Sequence, residues 1–200
     1  MRAFTTLAFT PAVRAAQERQ DGRARAAAVE AREPGNDVMT PEVMAYLRLC
    51  DSFFIGSASV SGRPYVQHRG GPKGFVKVID DRTLAWAEFS GNAQYITLGN
   101  LGENDKAFLF VPDYAERRRL KLWGRAAVVQ DAALLRSVRD PSYPAPVECA
   151  FSFTVEAWDF NCRQHIAARY TAAEIETRLA PLRTRIVELE RALRELGSLP

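Results

Sequence analysis

Alternating apolar and polar residues in the middle of the chain predict a β-sheet. Apolar side chains recur at every second position in short runs, which is the pattern of strands with one buried face. The first two runs are joined by Ser61, Gly62 and Arg63, which are typical of a hairpin turn. The predicted strands cover residues 53–60, 64–68, 75–79, 83–89, 107–111, 120–129 and 149–158. Their short connections leave no room for repeated helical crossovers, so the sheet should be mostly antiparallel and close into a small barrel.

Helices are predicted before the strands and between them along the chain. Residues 11–32 are rich in Ala, Arg, Glu and Gln, and their scarcity of large apolar side chains indicates a solvent-facing helix. Thr40 and Pro41 are typical of an N-cap and a first helical position, so a short buried helix should follow them. Shorter helices are predicted over residues 92–101 and after Asp131.

A long helix is predicted at the C-terminus. Thr171 and Glu174 form a capping box, and the helix should run to about Leu196. Pro181 lies inside this helix and should kink or thin its first turns. Apolar residues repeat alternately four and three apart, as in a heptad seam: Ile175, Leu179, Leu182, Ile186, Leu189, Leu193 and Leu196. Such a seam needs a partner, which is either its own barrel or a second copy of the chain.

Composition and charge narrow the range of functions. A chain of 200 residues with 47% hydrophobic content can form one substantial core with one or two appended helices. The formal net charge of +3, from 27 basic and 24 acidic residues, is too small for a general nucleic-acid or membrane surface. A small molecule is therefore the expected partner.

Cysteine usage and the termini indicate a cytoplasmic protein. Cys50, Cys149 and Cys162 are odd in number and widely spaced, without a zinc-binding pattern, so we expect reduced thiols and no metal site. Residues 1–9 are too short and too polar for a secretory signal. No run approaches the roughly 18 apolar residues that a membrane span needs.

Two loops carry features of anion-binding sites. Residues 67–74 place Arg69 and Lys73 among three glycines between two strands. Residues 89–92 follow a strand and open the predicted 92–101 helix, where unpaired N–H groups and the helix dipole attract phosphate. Each loop also has a simpler interpretation, a hairpin for the first and an N-cap for the second.

The order of four motifs resembles one group of flavoproteins. Residues 66–72 read Val-Gln-His-Arg-Gly-Gly-Pro, and residues 89–96 read Phe-Ser-Gly-Asn-Ala-Gln-Tyr-Ile. Residues 117–125 read Arg-Arg-Arg-Leu-Lys-Leu-Trp-Gly-Arg. Residues 161–166, Asn-Cys-Arg-Gln-His-Ile, are similar to the Asn-Cys-Pro-Gln-His element of one uncharacterised branch. Over roughly residues 47–170 the chain resembles the FMN-binding split β-barrel flavoproteins related to pyridoxamine 5'-phosphate oxidase.

The resemblance implies a fold and an assembly. The expected fold is mainly β, of the α+β class: an antiparallel split β-barrel of six to seven strands with flanking helices and a long C-terminal helix. The chain then divides into an N-terminal helical extension (1–40), the FMN-binding barrel (41–170) and the heptad-patterned helix (171–200). A homodimer is implied, with two FMN sites in clefts between the subunits.

The resemblance also assigns residues to the cofactor. Arg69 and Lys73 are candidate ligands of the phosphate or the ribityl chain, and residues 90–94 would meet the phosphate at the helix start. Trp86 and Phe89 offer flat apolar surface to the flavin ring. The full implied set is Gln67, His68, Arg69, Gly70, Lys73, Phe89, Ser90, Gly91, Asn92, Gln94, Arg119, Gln164 and His165. Of these, Arg119 would contact the flavin ring, and the last two would reach the cofactor from the tail, across the dimer.

The chain departs from its relatives at two of these motifs. Ala93 stands where relatives of this branch often have Arg, so one phosphate cation is missing. Arg163 replaces the Pro of the tail element. The Arg-x-His pattern with which vitamin B6 oxidases bind substrate has no counterpart, which argues against pyridoxamine-phosphate oxidase activity.

The expected function is an FMN-dependent oxidoreductase that acts on a small, unidentified substrate, with NAD(P)H as electron donor. The alternatives are a flavin carrier without turnover, or a haem- or deazaflavin-binding member of the same barrel class. His68 and His165 are the two histidines, and a lone histidine is more often structural than catalytic. No catalytic residue is assigned.

Overall fold

The computed structural model describes residues 4–32, 35–160 and 164–197. Within these residues the helices are α1 (Phe4–Ala8), α2 (Pro11–Arg19), α3 (Arg23–Arg32), α4 (Pro41–Leu49), α5 (Ile96–Glu103), α6 (Ala132–Val138) and α7 (Ala172–Gly197). The strands are β1 (Ser52–Ala58), β2 (Pro64–Gly70), β3 (Lys77–Val78), β4 (Thr83–Phe89), β5 (Lys106–Asp113), β6 (Arg118–Val129) and β7 (Val147–Phe160).

The strands form one antiparallel sheet in the order β2-β1-β5-β6-β7-β4-β3. With its flanking helices and the long α7, this sheet confirms the predicted fold. β2 and β4 stand near opposite ends of the sheet order, yet the side chains of Arg69 on β2 and Glu88 on β4 are in contact. The sheet therefore curls until its two ends meet, as in a barrel.

Aromatic side chains fill the centre of the barrel. The Trp86 ring stacks on Phe151 with centroids 5.6 Å apart, and it meets Phe53 edge-on at 5.0 Å. On α4, the apolar residues Val43 and Leu47 are fully buried against this cluster. The core accounts for the alternating pattern in strands such as β1 and β5, which send every second side chain inward, whereas β4 buries residues 84–87 in succession.

Three predicted elements differ from the observed ones. The single helix over residues 11–32 is wrong, because the chain turns at Asp21, with φ 51°, and forms α2 and α3. The third strand is limited to Lys77 and Val78, since Phe75 and Val76 before it are both buried in the core. The predicted helix start at Asn92 is also wrong, because α5 begins at Ile96.

The C-terminal helix forms with the predicted cap. The Thr171 N–H donates to Glu174 Oε2 at 2.8 Å, and the Glu174 N–H donates to Thr171 Oγ1 at 3.2 Å. The helix continues through Pro181. None of residues 172–197 is buried, so the seam does not lie along its own barrel. Among the described residues, no helix is long and apolar enough to cross a membrane.

Candidate functional site

An ion pair between Arg69 and Glu88 forms the centre of the candidate site. Arg69 Nη2 lies 2.9 Å from Glu88 Oε1, and the two side chains are only 12% and 14% exposed. On β2 the more protected positions alternate through Tyr65, Gln67 and Arg69, so the pleat of the strand turns Arg69 toward the barrel. The guanidinium also lies 5.8 Å from the centroid of the buried Phe151 ring.

Burial outweighs the mutual attraction of the two charges. It lowers the pKa of Arg69 although Glu88 opposes the change, and it raises the pKa of Glu88 although Arg69 opposes that change. Each side chain also keeps one buried polar atom without a hydrogen-bond partner, Nε of Arg69 and Oε2 of Glu88. Such atoms cost free energy until something bonds to them. The pair thus offers one donor and one acceptor to a ligand.

Two cavities share this ion pair. The first, of about 160 Å³, is lined by His68, Arg69, Gly70, Phe75, Ala87, Glu88 and Phe89. The second, of about 230 Å³, is lined by Gln67, Arg69, Glu88, Phe89, Gly91, Asn92, Ala93, Tyr95, Leu98 and Glu148. Together they bring seven of the sequence-predicted site residues around one place: Gln67, His68, Arg69, Gly70, Phe89, Gly91 and Asn92.

The loop before α5 lines the second cavity and has backbone donors without partners in the described part of the chain. Ala93 and Tyr95 hold left-handed conformations, with φ 56° and 48°. Within the described residues, the N–H groups of Gly91, Asn92 and Ala93 make no hydrogen bond, whereas that of Ser90 donates to the Pro146 carbonyl. Because α5 begins only at Ile96, these donors come from a strained loop rather than from the helix start that the sequence predicted.

Hydrogen bonds tie α5 to the first hairpin and so hold this loop in place. Thr97 Oγ1 donates to Gln67 Oε1 at 2.6 Å, which joins the helix to β2. Further along the helix, Asn100 Nδ2 donates to Ser57 Oγ at 3.1 Å. Gln67 therefore lines the cavity with an oxygen that already accepts a hydrogen bond.

A second carboxylate lies at the rim of the second cavity. The Tyr95 hydroxyl donates to Glu148 Oε1 at 3.4 Å, and Glu148 raises the pKa of Tyr95. Glu148 also contributes to the raised pKa of Glu88, although burial contributes more. With Glu88 and Glu148 against Arg69, the cavity carries more negative than positive side-chain charge. An anion placed here depends on backbone donors to offset that balance.

Two glycines of the first loop, Gly71 and Gly74, serve packing and turn hydrogen bonds rather than ligand binding. A Cβ on Gly71 would lie 2.8 Å from the Phe75 ring, which stacks on Phe53. The Gly71 N–H donates to the Asp51 carbonyl at 2.9 Å, and the Gly74 N–H donates to the Cys50 carbonyl at 3.1 Å. The amides of Gly71 and Gly74 are therefore not free to bind an anion.

Lys73 lies apart from Arg69. It lines a different cleft, of about 370 Å³, together with Tyr46, Cys50, Asp113, Tyr114 and Arg169. Its ammonium group also lowers the pKa of Glu174, although the hydrogen bonds from Thr171 contribute more. The structure thus separates the two cations that the sequence grouped together.

One of the two aromatic side chains predicted to face the flavin lies at the candidate site. Trp86 is fully buried in the core, so its assignment to the ring surface is wrong. Phe89 lines both cavities and meets the Tyr143 ring at 4.9 Å. Phe89 therefore provides apolar surface beside the ion pair.

The other predicted residues lie outside the two cavities of the single chain. Gln94 is exposed and donates its N–H to Asn92 Oδ1. Arg119 is half-buried on β6, while Arg118 beside it binds Glu42 and stacks on Phe160. Exposed positions are also found for Ser90, Gln164 and His165. Cys162 and Arg163 of the tail motif lie outside the described residues.

Sequence reasoning missed the acidic side of the site. Glu88 had a detectable signal, since it is a charged residue at the end of an otherwise apolar strand. Glu148 and Tyr95 had none, because β7 is far from α5 along the chain and only the folded sheet brings them together. Among the described residues, no group of three or more His, Cys, Asp or Glu side chains is arranged to hold a metal ion.

Comparison with known families explains why these elements occur in this order. The family model described as pyridoxamine 5'-phosphate oxidase matches residues 39–162, more than half of the chain. The chain belongs to the pyridoxamine 5'-phosphate oxidase family. The match spans α4 through the end of β7 and includes both cavities. No curated protein sequence matches the chain.

Two solved structures of similar fold come from bacteria. HupZ of Group A Streptococcus is 15% identical with a TM-score of 0.50, and the match covers 66% of this chain and 99% of that one. An FMN-binding protein from Syntrophomonas wolfei is also 15% identical, with a TM-score of 0.48, over 70% of this chain and 95% of that one. At this level of identity the likeness concerns the fold alone.

The residues around the ion pair fit a flavin mononucleotide. Its phosphate needs several donors, which Arg69 Nε and the amides of residues 91–93 offer. Its ribityl hydroxyls need an acceptor, which Glu88 Oε2 offers. The nearby carboxylates oppose the phosphate charge and favour a position close to the amides.

Proposed function

We propose that this member of the pyridoxamine 5'-phosphate oxidase family binds FMN beside Arg69 and Glu88 and acts as an FMN-dependent oxidoreductase on a small molecule. The observation that carries the proposal is the buried ion pair, in which Arg69 Nε and Glu88 Oε2 both lack a partner. Unsatisfied buried polar atoms are costly, and these two line both cavities, where a ligand can supply the missing hydrogen bonds.

Each side chain has a defined task in this proposal. Arg69 and the amides of Gly91, Asn92 and Ala93 bind the phosphate, and Glu88 accepts hydrogen bonds from the ribityl hydroxyls. Phe89 packs against the ring and excludes water from one side. When bound, FMN supplies the hydride or single-electron chemistry.

The assembly and the electron donor are also proposals. A homodimer places a second subunit over the open side of the cavities, where residues such as Gln164 and His165 reach the flavin. NAD(P)H is the proposed donor and the cytoplasm the proposed location. The substrate is a small molecule rather than nucleic acid or membrane.

Arg69→Met tests the position of the phosphate, with Lys73→Met as the matched control. Fluorescence titration with FMN should show at least tenfold weaker binding for the first variant and unchanged binding for the second. Equal effects of the two variants, or none, would show that the phosphate lies elsewhere. Urea denaturation of each variant separates lost binding from lost fold.

Flavin storage without turnover is the second candidate function. It is favoured by the ion pair itself, because Glu88 is held by Arg69 and is not free to exchange a proton with a substrate. Anaerobic mixing of the FMN-loaded protein with NADH and with NADPH distinguishes the two functions. Bleaching of the flavin absorption supports the oxidoreductase, and its persistence supports storage.

A further inference from the structure

The heptad seam of α7 is exposed along its whole length. Its residues range from 37% exposed at Leu179 to 68% exposed at Leu193. None of residues 172–197 is buried, although the helix is 26 residues long. Leucine and isoleucine at heptad spacing are favoured where two helices pack together. A surface of this length and regularity therefore favours packing against another helix.

We propose that α7 pairs with α7 of a second copy of this chain as an antiparallel coiled coil. In the proposed register Leu179, Leu182 and Ile186 face Leu196, Leu193 and Leu189 of the partner subunit. The two-fold axis repeats these contacts with the roles exchanged. Pro181 is outside the seam, where its ring does not interfere with the contact.

The charges beside the seam select this register. In an antiparallel pair, the position directly after Leu182 on one helix faces the position directly after Leu189 on the other. In the proposed register Arg183 faces Glu190 of the partner subunit, twice by symmetry, and no like charges face each other. Within one chain Arg183 already pairs with Glu176, while Glu190 has no ion pair among the described residues.

Other alignments bring like charges together. A shift of one heptad toward the N-terminus places Arg183 against its own symmetry copy and Glu176 against Glu190. In a parallel pair, Arg185 would face Glu190, but Arg178 would face Arg183. Facing like charges are destabilising, and such charges set orientation more than affinity.

Ile186→Glu tests the seam, with Val187→Glu as its matched control. Ile186 is on the seam, whereas Val187 is on the outer side of α7 and is 61% exposed. Sedimentation velocity over a dilution series should show association weakened at least tenfold by the first substitution and unchanged by the second. Equal behaviour of the two variants, or a monomeric parent protein, would overturn the proposal.

Charge exchange tests the orientation. Arg183→Glu should weaken association in the antiparallel pair, because the introduced carboxylate faces Glu190 of the partner subunit and two repulsive contacts replace two attractive ones. The same substitution would strengthen a parallel pair, because it faces Arg178 there. Glu190→Arg combined with Arg183→Glu should restore the antiparallel association. Failure of this restoration would overturn the register.

Cysteine crosslinking gives a readout that is independent of affinity and of flavin. Leu182→Cys combined with Leu193→Cys should form an intermolecular disulfide under mild oxidation, whereas either substitution alone should not. The parent chain, treated identically, controls for Cys50, Cys149 and Cys162. Crosslinking by each single variant would indicate a parallel pair and overturn the proposal. Because FMN need not be bound, failure here leaves the proposed function untouched.

Discussion

Arg69 on β2 and Glu88 on β4 are 2.9 Å apart although their strands stand near opposite ends of the sheet order. The same contact closes the barrel and lines both cavities of the candidate site. A change in either residue therefore affects stability and binding together. These two effects can be separated because replacement of one partner and replacement of both have different consequences.

Replacement of both partners by apolar residues should stabilise the protein. Glu88→Leu alone leaves Arg69 charged, buried and unpaired, which should cost about 3 kcal/mol of unfolding free energy. The double variant Arg69→Met with Glu88→Leu removes both desolvated charges, and should recover that loss and gain about 1 kcal/mol over the natural chain. Urea denaturation of the flavin-free proteins measures the three values.

FMN titration completes this comparison. The double variant should fold well and still fail to bind FMN, which distinguishes loss of the site from loss of the fold. Tight FMN binding by the double variant would contradict the assignment of the pair to the cofactor. A double variant as unstable as Glu88→Leu would show that the pair is needed for closure of the barrel.

FMN binding should respond to pH through Glu88. Burial raises the pKa of this carboxyl group, so it takes up a proton at higher pH than an ordinary glutamate as the solution is acidified. Above that pKa the carboxylate competes for Arg69 and repels phosphate, and below it the carboxyl is neutral. Glu88→Gln should therefore bind FMN more tightly than the natural chain at pH 8, and the difference should shrink toward pH 5.

Comparison of the two proteins at each pH removes the contribution of the phosphate itself, whose second ionisation falls near pH 6. Fluorescence titrations at several pH values provide the ratio of the two affinities. A ratio that stays constant with pH would show that Glu88 is not near the phosphate. Tighter binding to the natural chain at pH 8 would show that the hydrogen bonds from the ribityl hydroxyls to the Glu88 carboxylate outweigh its repulsion of the phosphate.

Most of the fold follows from local pattern in the sequence. Buried positions alternate in the strand over residues 120–129, and both this strand and the strand over residues 83–89 lie within two residues of their predicted bounds. The helix cap at Thr171 could also be predicted from the sequence, because a capping box involves residues only three apart. Residues 11–32 misled the prediction, because Ala-rich composition favours helix throughout and does not locate the turn at Asp21.

The site was less predictable, because its geometry depends on tertiary packing. Arg69 and Lys73 are four residues apart in sequence, yet the turn that packs Phe75 into the core sends them to separate cavities. Arg69 and Glu88 are nineteen positions apart and carry no local signal of contact. Only the closure of the barrel determines that an arginine predicted to bind phosphate is already paired with a carboxylate.

The thiol of Cys50 should be unreactive in the folded protein. Burial, with a smaller contribution from Asp51, raises its pKa to about 12, so about one thiol in ten thousand is ionised at pH 8. Burial also raises the pKa of Cys149. In a Cys162→Ser background, a disulfide reagent at pH 8 should label neither thiol within minutes, and both after unfolding in urea. Rapid labelling of the native variant would show that burial does not suppress ionisation of the Cys50 or Cys149 thiol.

Gly124 should be irreplaceable in the barrel wall. The register between β6 and β7 shifts between Trp123 and Gly124, and a Cβ on Gly124 would lie 2.1 Å from the Thr154 carbonyl oxygen and 2.7 Å from the Phe153 ring. The backbone there cannot move without a large cost in free energy. Gly124→Ala should therefore lower the unfolding free energy by about 3 kcal/mol or prevent folding.

Gly102→Ala is the matched control, because this glycine lies within α5 and an added Cβ would meet no atom within 4 Å. Alanine favours helix over glycine by about 1 kcal/mol, so this variant should be slightly more stable than the natural chain. Thermal and urea denaturation of both variants provide the comparison. Normal stability of Gly124→Ala would mean that β6 and β7 can move apart at the bulge, and the close backbone contact there would then have no structural role.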